Sequence, residues 1–445
     1  MATVTTTPGV YIEEDATPSL SVNQNATAVP VFIGRFTPND TAINNTVVRI
    51  NSWLDFTNKF ATQFPLSVSV TISQAPSTLK KNNKVIDDDI GSGFQLDAIN
   101  FSYSTASSAL NLYFQNGGGP CYIFPLSSTA DATALAQIPN LIEEYEDITL
   151  LCTPENSFDY QDTVNQQLLT LLNKNKGYFL LTDNRYGTAD ATLGSSPHIA
   201  AYYPLLKIAK PAPENIDDSL VIVNGYDTAA TTLAAIKSDD SALGDAISKN
   251  VMAQYAAEVF TVRTSAVMAG IYGKNDAERG VWKAPANYVI NGVSDVSARI
   301  SNEEQGIMNQ AGINAIRYFS GRGLVVWGAR TLQDDDNWRY IPVRRLFDAA
   351  ERDIKNALRT MVFEPNNQPT WTRVRAAIDH YLYRLWQQGG LAGNKPEEAY
   401  FVNIGKDITM SDDDIDQGKM IVKIGLAAVR PAEFIILQFT QNVSQ

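Results

Sequence analysis

Between Ile148 and Leu181 the apolar positions change period twice. The run Ile148 to Cys152 (ITLLC) is continuous, then Val164, Leu168, Leu171 and Leu172 fall on one helical face, and Tyr178 to Leu181 (YFLL) is continuous again. Strand, helix and strand at this spacing predict a βαβ unit and a locally parallel sheet. Ala28 to Gly34 (AVPVFIG) and Cys121 to Pro125 read as further strands. Ser52 is placed to cap a helix carrying Trp53, Leu54, Phe56 and Phe60. Residues 64–97 read as an insertion, with the alternating SVSVTIS (Ser67 to Ser73), the turn Lys80-Lys81-Asn82-Asn83-Lys84 and the acidic Asp87-Asp88-Asp89. The pattern predicts a solvent-exposed hairpin. Residues 211–250 read as a loop-rich second insertion around a short strand at Leu220 to Val223.

The last third is mostly helical in period. Ser301 and Glu304 form a capping-box pattern opening a helix through Ile307 and Met308. Leu346, Phe347, Ala350, Ile354, Ala357, Leu358 and Met361 repeat at helical spacing. Thr370 reads as the cap of a second helix with Trp371, Val374, Ile378, Leu382 and Leu385 on one face, ended by Gly389-Gly390. Two late strands are expected, at Met420 to Val429 and at Phe434 to Phe439. The fold class is α/β in the middle of the chain and α+β overall.

Composition adds exclusions. The chain has 445 residues, 44% hydrophobic and 19% charged, ordinary for a globular protein with a sizeable core. Its net charge of -13 argues against non-specific nucleic-acid binding, which needs a basic footprint. Residues 1–315 hold 18 basic and 32 acidic side chains, whereas residues 316–400 hold 13 and 10. The mildly basic segment either meets an acidic partner or is ordinary variation. Cys121 and Cys152 are too few for a disulfide scaffold and sit in apolar runs, so buried thiols are expected. The N-terminus lacks a charged region followed by an apolar one, and no apolar run of about 18 residues occurs. A soluble protein made in a cytoplasm is expected.

No motif for catalysis, cofactor binding or metal binding stands out. Gly117-Gly118-Gly119-Pro120 lacks the Lys-Ser/Thr of a phosphate-binding loop and reads as a turn before the strand at Cys121. A calcium loop starting at Asp412 would need Gly and Glu where Gln417 and Lys423 stand, so Asp412 to Asp416 reads as a capped helical turn. His198 and His380 have no Cys or second His nearby in sequence. No G-x-S-x-G elbow occurs.

The segments ERGVWKAPAN (Glu278 to Asn287), VWGARTL (Val326 to Leu332), WRYIPVRRLFDAAERDI (Trp338 to Ile354), VFEPNN (Val362 to Asn367) and VRPAEFII (Val429 to Ile436) together resemble the contractile tail sheath proteins of bacteriophages and phage-tail-like injection particles. TPGVYIEE (Thr7 to Glu14), TAVPVFIGRF (Thr27 to Phe36), INSWLDFTNKF (Ile50 to Phe60), LYFQNGGGPCYI (Leu112 to Ile123) and IAAYYPLLKI (Ile199 to Ile208) extend the resemblance in the same order over most of the chain. Residues 64–97 and 211–258 depart from it.

The resemblance implies a structural subunit, not an enzyme. It would polymerise as stacked rings around an inner tube and shorten to drive that tube through an envelope. Implied partners are copies of itself, sheath paralogues, the inner tube protein, and baseplate and terminal cap proteins, with neither nucleic acid nor membrane insertion. Manufacture in a bacterial cytoplasm, then assembly into a phage tail or a released particle, is implied as well. The implied division is an N-terminal arm at 1–26, an outer α/β domain at 27–277, a compact inner sheath domain at 278–430 and a C-terminal arm strand at 431–445. Under this resemblance the exchanged arms are Val10, Tyr11, Ile12, Glu13 and Glu14 at one end, and Glu433, Phe434, Ile435, Ile436, Leu437, Gln438 and Phe439 at the other. β-prone ends of this kind add to a neighbour's sheet edge. Candidate tube-facing cations are Arg344, Arg345, Arg352, Arg359, Arg373, Arg375 and Arg384; the alternative is that most are solvated or paired with Asp348, Asp353 and Asp379. The competing class, a receptor-binding or non-contractile tail protein, would be expected to carry aromatic-rich exposed insertions.

Overall fold

The computed structural model describes residues 20–62, 66–74, 89–91, 93–174, 176–188, 193–209, 216–227 and 229–434. These fall into two compact bodies, Thr27–Arg344 and a smaller one in which residues 20–26 pack with residues 345–434.

The larger body is built on the predicted parallel sheet. Strands β1 (Pro30–Gly34), β6 (Cys121–Pro125), β7 (Leu150–Cys152), β8 (Phe179–Asp183), β9 (Ile199–Tyr203) and β15 (Ile313–Phe319) run parallel to their neighbours among them. Antiparallel β2 (Val48–Ile50) and β16 (Gly323–Trp327) close the edges, in the order β16-β15-β9-β8-β7-β1-β6-β2. Both faces are covered, which is why these strands read as continuous apolar runs. Alternate residues enter two cores. Phe32, Ile123, Cys152 and Leu181 face one that includes residues of α1 (Trp53–Lys59), α2 (Ala106–Gln115) and α7 (Thr264–Arg279). Val31, Ile33, Phe124, Leu151 and Leu180 face the other, with α3 (Ala132–Glu143) and α4 (Phe158–Leu172). The predicted βαβ unit is β7-α4-β8, with Leu150 opposite Phe179. Ser52 caps α1 by accepting from the Asp55 N–H. Ser301 and Glu304 close the predicted capping box on α8 (Asn302–Gln310). Gly118 is required by close packing, since a Cβ there would lie 2.4 Å from the Tyr113 ring. A small sheet of β10 (Leu206–Lys207) between β13 (Thr261–Val262) and β14 (Asp295–Val296) completes the scaffold.

The two insertions correct the expectation. β3 (Ser67–Gln74) pairs antiparallel with β5 (Phe94–Ser102), as a hairpin should, but it also pairs in parallel with β11 (Val221–Asn224). With β4 (Asp89–Gly91) and β12 (Thr231–Thr232) they form one five-stranded sheet. Its apolar face, Val68, Val70 and Ile72 on β3, is buried with Leu233, Ile236, Leu243, Ile247 and Val251 from α5 (Leu233–Asp239) and α6 (Ser241–Ala257). The alternation in SVSVTIS therefore marks a half-buried sheet and not a solvent-exposed hairpin. The 211–250 region is not mainly loop: Thr232 and Asp240 cap the two helices. Their apolar positions are spaced among Ala, Ser and Asp, which masked the period. The predicted turn around Lys80 to Lys84, and Asp87 and Asp88, lie outside the described residues.

The division between the bodies falls within α9 (Ile341–Leu358). In the smaller body the later turns of α9 bury Leu346, Ala350 and Ile354. α10 (Gln368–Gln387) buries Trp371, Val374, Ile378, Leu382 and Leu385. The α10 cap is Asn367, whose side chain accepts from the Thr370 N–H, so the helix starts two residues before Thr370. Asn is as good a cap as Thr, and Pro369 suits the first turn. At the far end Gly389 has φ +80°; its N–H donates to the Trp386 carbonyl and that of Gly390 to Leu385. This paired pattern satisfies two of the last carbonyls and selects glycine. Next come α11 (Pro396–Ala399), β17 (Tyr400–Asn403) and α12 (Asp412–Asp416), the last capped by Ser411 as the acidic run implied. The strand expected at Met420 to Val429 is the shorter β18 (Lys423–Leu426).

Candidate assembly interface

The described chain begins with a segment fixed to the smaller body. Val22 is buried, and its carbonyl accepts from Arg384 Nη2 at 2.7 Å. Asn25 donates its backbone N–H and its side-chain amide to Asp353 Oδ1, at 3.0 and 2.8 Å. Tyr381 donates to the other carboxylate oxygen at 2.9 Å. Burial outweighs these donors and raises the Asp353 carboxyl above its ordinary value. Val10, Tyr11, Ile12, Glu13 and Glu14 lie outside the described residues. The segment that leads to them is rooted at residues 20–25.

The second feature is a two-stranded ribbon. β17 and β18 pair antiparallel, Tyr400 opposite Leu426 and Asn403 opposite Lys423, and among the described residues neither has another strand partner. Tyr400 and Val402 point inward, while Phe401 is exposed and lies over Gly425. Beside β18 runs an apolar groove of about 650 Å³. It is lined on the strand side by Val422, Ile424 and Leu426 and on the helix side mainly by Phe347, Ile354 and Leu358. Residues 422, 424 and 426 share one face of the strand, so the groove continues the sheet's apolar face past its last strand. A strand edge with no further strand partner among the described residues, next to an apolar slot, is what an added strand needs.

After β18 the chain turns back along α10's exit. Ala428 bridges Leu391, and the Ala392 N–H donates to the Ala427 carbonyl at 2.7 Å. Glu433 is half-buried and Phe434 exposed; Ile435, Ile436, Leu437, Gln438 and Phe439 lie outside the described residues.

The candidate cations are not one surface. Arg344 and Arg345 are buried, with the Arg344 guanidinium stacked 4.2 Å from the Trp338 ring centroid. Arg384 is half-buried and holds Val22. Arg373 pairs with Glu364 at 3.5 Å. Arg352 is half-buried, and Arg359 and Arg375 are exposed. The sequence reading missed β17 and the groove. The four-residue YFVN does alternate in burial, but so short a run carries little signal.

Among the described residues no group of three or more His, Cys, Asp or Glu side chains could hold a metal ion, and no helix is long and apolar enough to cross a membrane. Cys121 and Cys152 are buried free thiols whose pKa values burial pushes up, which removes thiolate reactivity.

Comparison with known proteins identifies the family. Residues 219–332 match the phage tail sheath protein central domain, and residues 333–442 the phage tail sheath C-terminal domain. The helical sheath of the anti-feeding prophage in its contracted state is 49% identical, covers 99% of this chain and 100% of its own, and superposes with a TM-score of 0.74. The sheath of the extracellular contractile injection system PVC, also contracted, is 38% identical over 99% of both chains, with a TM-score of 0.67. The tail sheath protein of Vibrio phage KVP40 is 27% identical over 177 residues, which are 39% of this chain and 25% of that protein. The putative prophage major tail sheath protein of Pseudomonas aeruginosa strain UCBPP-PA14 is 26% identical over 38% of this chain and 43% of its own length. This chain thus matches less than half the length of these curated phage and prophage relatives. The chain belongs to the contractile tail sheath family, as a structural sheath subunit and not an enzyme.

Proposed function

We propose that copies of this chain polymerise into a helical sheath by strand exchange, and that the work of contraction comes from rearranging these linked subunits. The observation that carries the reading is the apolar groove beside β18, whose outer edge has no strand partner among the described residues. A neighbour's Phe434 to Phe439 or Val10 to Glu14 adds to the ribbon, with alternate apolar side chains in the groove. Contacts of this kind are heterologous, so they propagate as open helical filaments. The rooted segment at 20–25 makes each arm a tether of fixed origin.

A single arm is marginal. Four backbone hydrogen bonds contribute roughly 2–6 kcal/mol. Burial of Val10 and Ile12 adds about 3–6 kcal/mol, and ordering five residues costs ~5–10 kcal/mol. Arms acting together in a lattice become strong through effective concentration. Deleting residues 1–14 should leave a folded monomer that forms no polymer. Full-length sheaths from that deletion, seen by negative-stain microscopy, would overturn the proposal.

The sheath surrounds an inner tube and is bounded by baseplate and terminal cap proteins in this reading, after manufacture in a bacterial cytoplasm. The baseplate of the anti-feeding prophage contains a chain 49% identical to this one, which supports that part. Of the candidate tube contacts, exposed Arg359 and Arg375 fit best. Exposed charge pairs are individually weak and screened by salt, so tube–sheath adhesion should weaken from low to high ionic strength. Adhesion that ignores salt counts against those two residues.

A further inference from the structure

Phe363 is the most exposed large apolar side chain described, at 102% of its reference area, and its φ is +75°. It sits at the third position of a four-residue turn. Val362 before it has φ −64° and ψ 132°, and the Glu364 N–H donates to the Met361 carbonyl at 3.1 Å. That is a type II turn, whose third position is left-handed and normally taken by Gly or Asn. A phenylalanine there strains the backbone and, within the monomer, leaves its side chain in water.

The turn is nevertheless held firmly. Asn366 accepts from Trp371 Nε1 at 2.7 Å and donates to the Lys419 carbonyl at 3.0 Å, while Glu364 pairs with Arg373. These bonds hold the backbone on either side of Phe363, so presenting its ring outward needs little further ordering of the main chain.

Its position points to the partner. Val362, in the same turn, and Arg359, just before it, line the apolar groove beside β18. Thr360, Met361 and Glu364 line a separate pocket shared with Leu20 and Asn25, at the root of the chain's own N-terminal arm. The turn thus separates the groove that receives an arm from the root that sends one out. We propose that Phe363 is an anchor residue for a second copy of this chain, engaged beside the seated arm. This rests on the arm-exchange reading for the identity of the partner. A neighbour whose strand fills the groove brings its flanking residues past Phe363, and heterologous contact of this kind repeats along the filament.

The test uses the full chain carrying Phe363→Gly or Phe363→Asn, both suited to a left-handed position. The monomer should melt at the same temperature as the parent or higher. The critical concentration for sheath formation without tube protein, measured by pelleting, should rise at least about tenfold. Polymerisation at the parental concentration overturns the proposal. So does a fall of several degrees in melting temperature, which would make Phe363 a folding residue. Loss of tube co-sedimentation with unchanged sheath-only assembly also overturns it, in favour of a tube contact. Deletion of residues 1–14 leaves Phe363 in place. Polymer from that deletion that still depends on Phe363 would sink the arm reading and leave the anchor standing.

Discussion

Asp353 shows how one side chain joins stability to the segment at residues 20–25. It is largely buried and accepts from Asn25 twice and from Tyr381. Its carboxyl sits above the ordinary 3.8 because burial opposes ionisation more than Asn25, Tyr381 and Arg352 favour it. The folded chain therefore binds this proton more tightly than the unfolded chain, and stability falls as pH rises from about 3.8 through the folded value. In Asp353→Asn the amide oxygen still accepts from Asn25 and the pH term is gone. Denaturant titrations should show the variant gaining on the parent as pH rises through that window; a difference independent of pH would contradict the assignment. Arg263 is the opposite case, fully buried, donating to the carbonyls of Glu155 and Asn156 and flat on Phe158. Asp183, buried nearby, counts Arg263 as its main favourable charge. Arg263→Ala should cost about 3–5 kcal/mol in urea unfolding, because it removes the main favourable charge near the buried Asp183 and leaves the Glu155 and Asn156 carbonyls without their donor. Neither role was legible in the sequence. Charge and spacing do not reveal which arginines are buried, and Arg344 and Arg345 looked as available as Arg375.

At the level of elements, the sequence was readable where one period runs for several turns or where a cap has a fixed spacing. The βαβ unit, the Ser52 and Ser301 caps and the Gly389-Gly390 stop are all present. Errors came from competing signals: Thr370 looked like a cap, but Asn367 lies one turn earlier and holds the Thr370 N–H. β17 is four residues long, and its role comes from pairing with a strand more than twenty residues later. Gly389→Ala should destabilise the protein by about 1 kcal/mol, since φ +80° penalises a Cβ; a thermal melt reads this directly. The β18 groove gives a sharper prediction. Leu426 is only half-buried in the monomer, so Leu426→Glu should fold with little loss. A carboxylate on the groove wall would have to be desolvated when a strand seats against it. Sheath assembly should then fail at concentrations where the parent polymerises, while the monomer's circular dichroism is unchanged. Normal sheaths from Leu426→Glu would remove the groove from the interface.

For the whole molecule, the least legible fact is that the two insertions are one structure. Their strands β3 and β11 lie some 150 residues apart in the chain (Ser67 and Val221) yet pair in parallel, with Val68 opposite Val221. Nothing local in either segment specifies a parallel partner, since the register is fixed only when both apolar faces meet α5 and α6. Each insertion alone looks like surface decoration that could be trimmed. Their common core says otherwise: Val68, Val70 and Ile72 are almost fully buried against Leu233, Ile236, Leu243 and Ile247. Each such side chain is worth roughly 1.5–3 kcal/mol when buried. Replacing residues 216–257 by a short linker should therefore uncover an apolar face on β3 and β5 and give a protein that aggregates or binds a hydrophobic dye. Removing 66–102 as well takes away both halves of that core together and leaves the eight-stranded sheet with its own two cores intact. The double deletion should be more soluble than either single one, the reverse of what independent insertions would give. If each single deletion is as soluble as the parent, the shared core does not hold the insertions together, and they are two ornaments and not one subdomain.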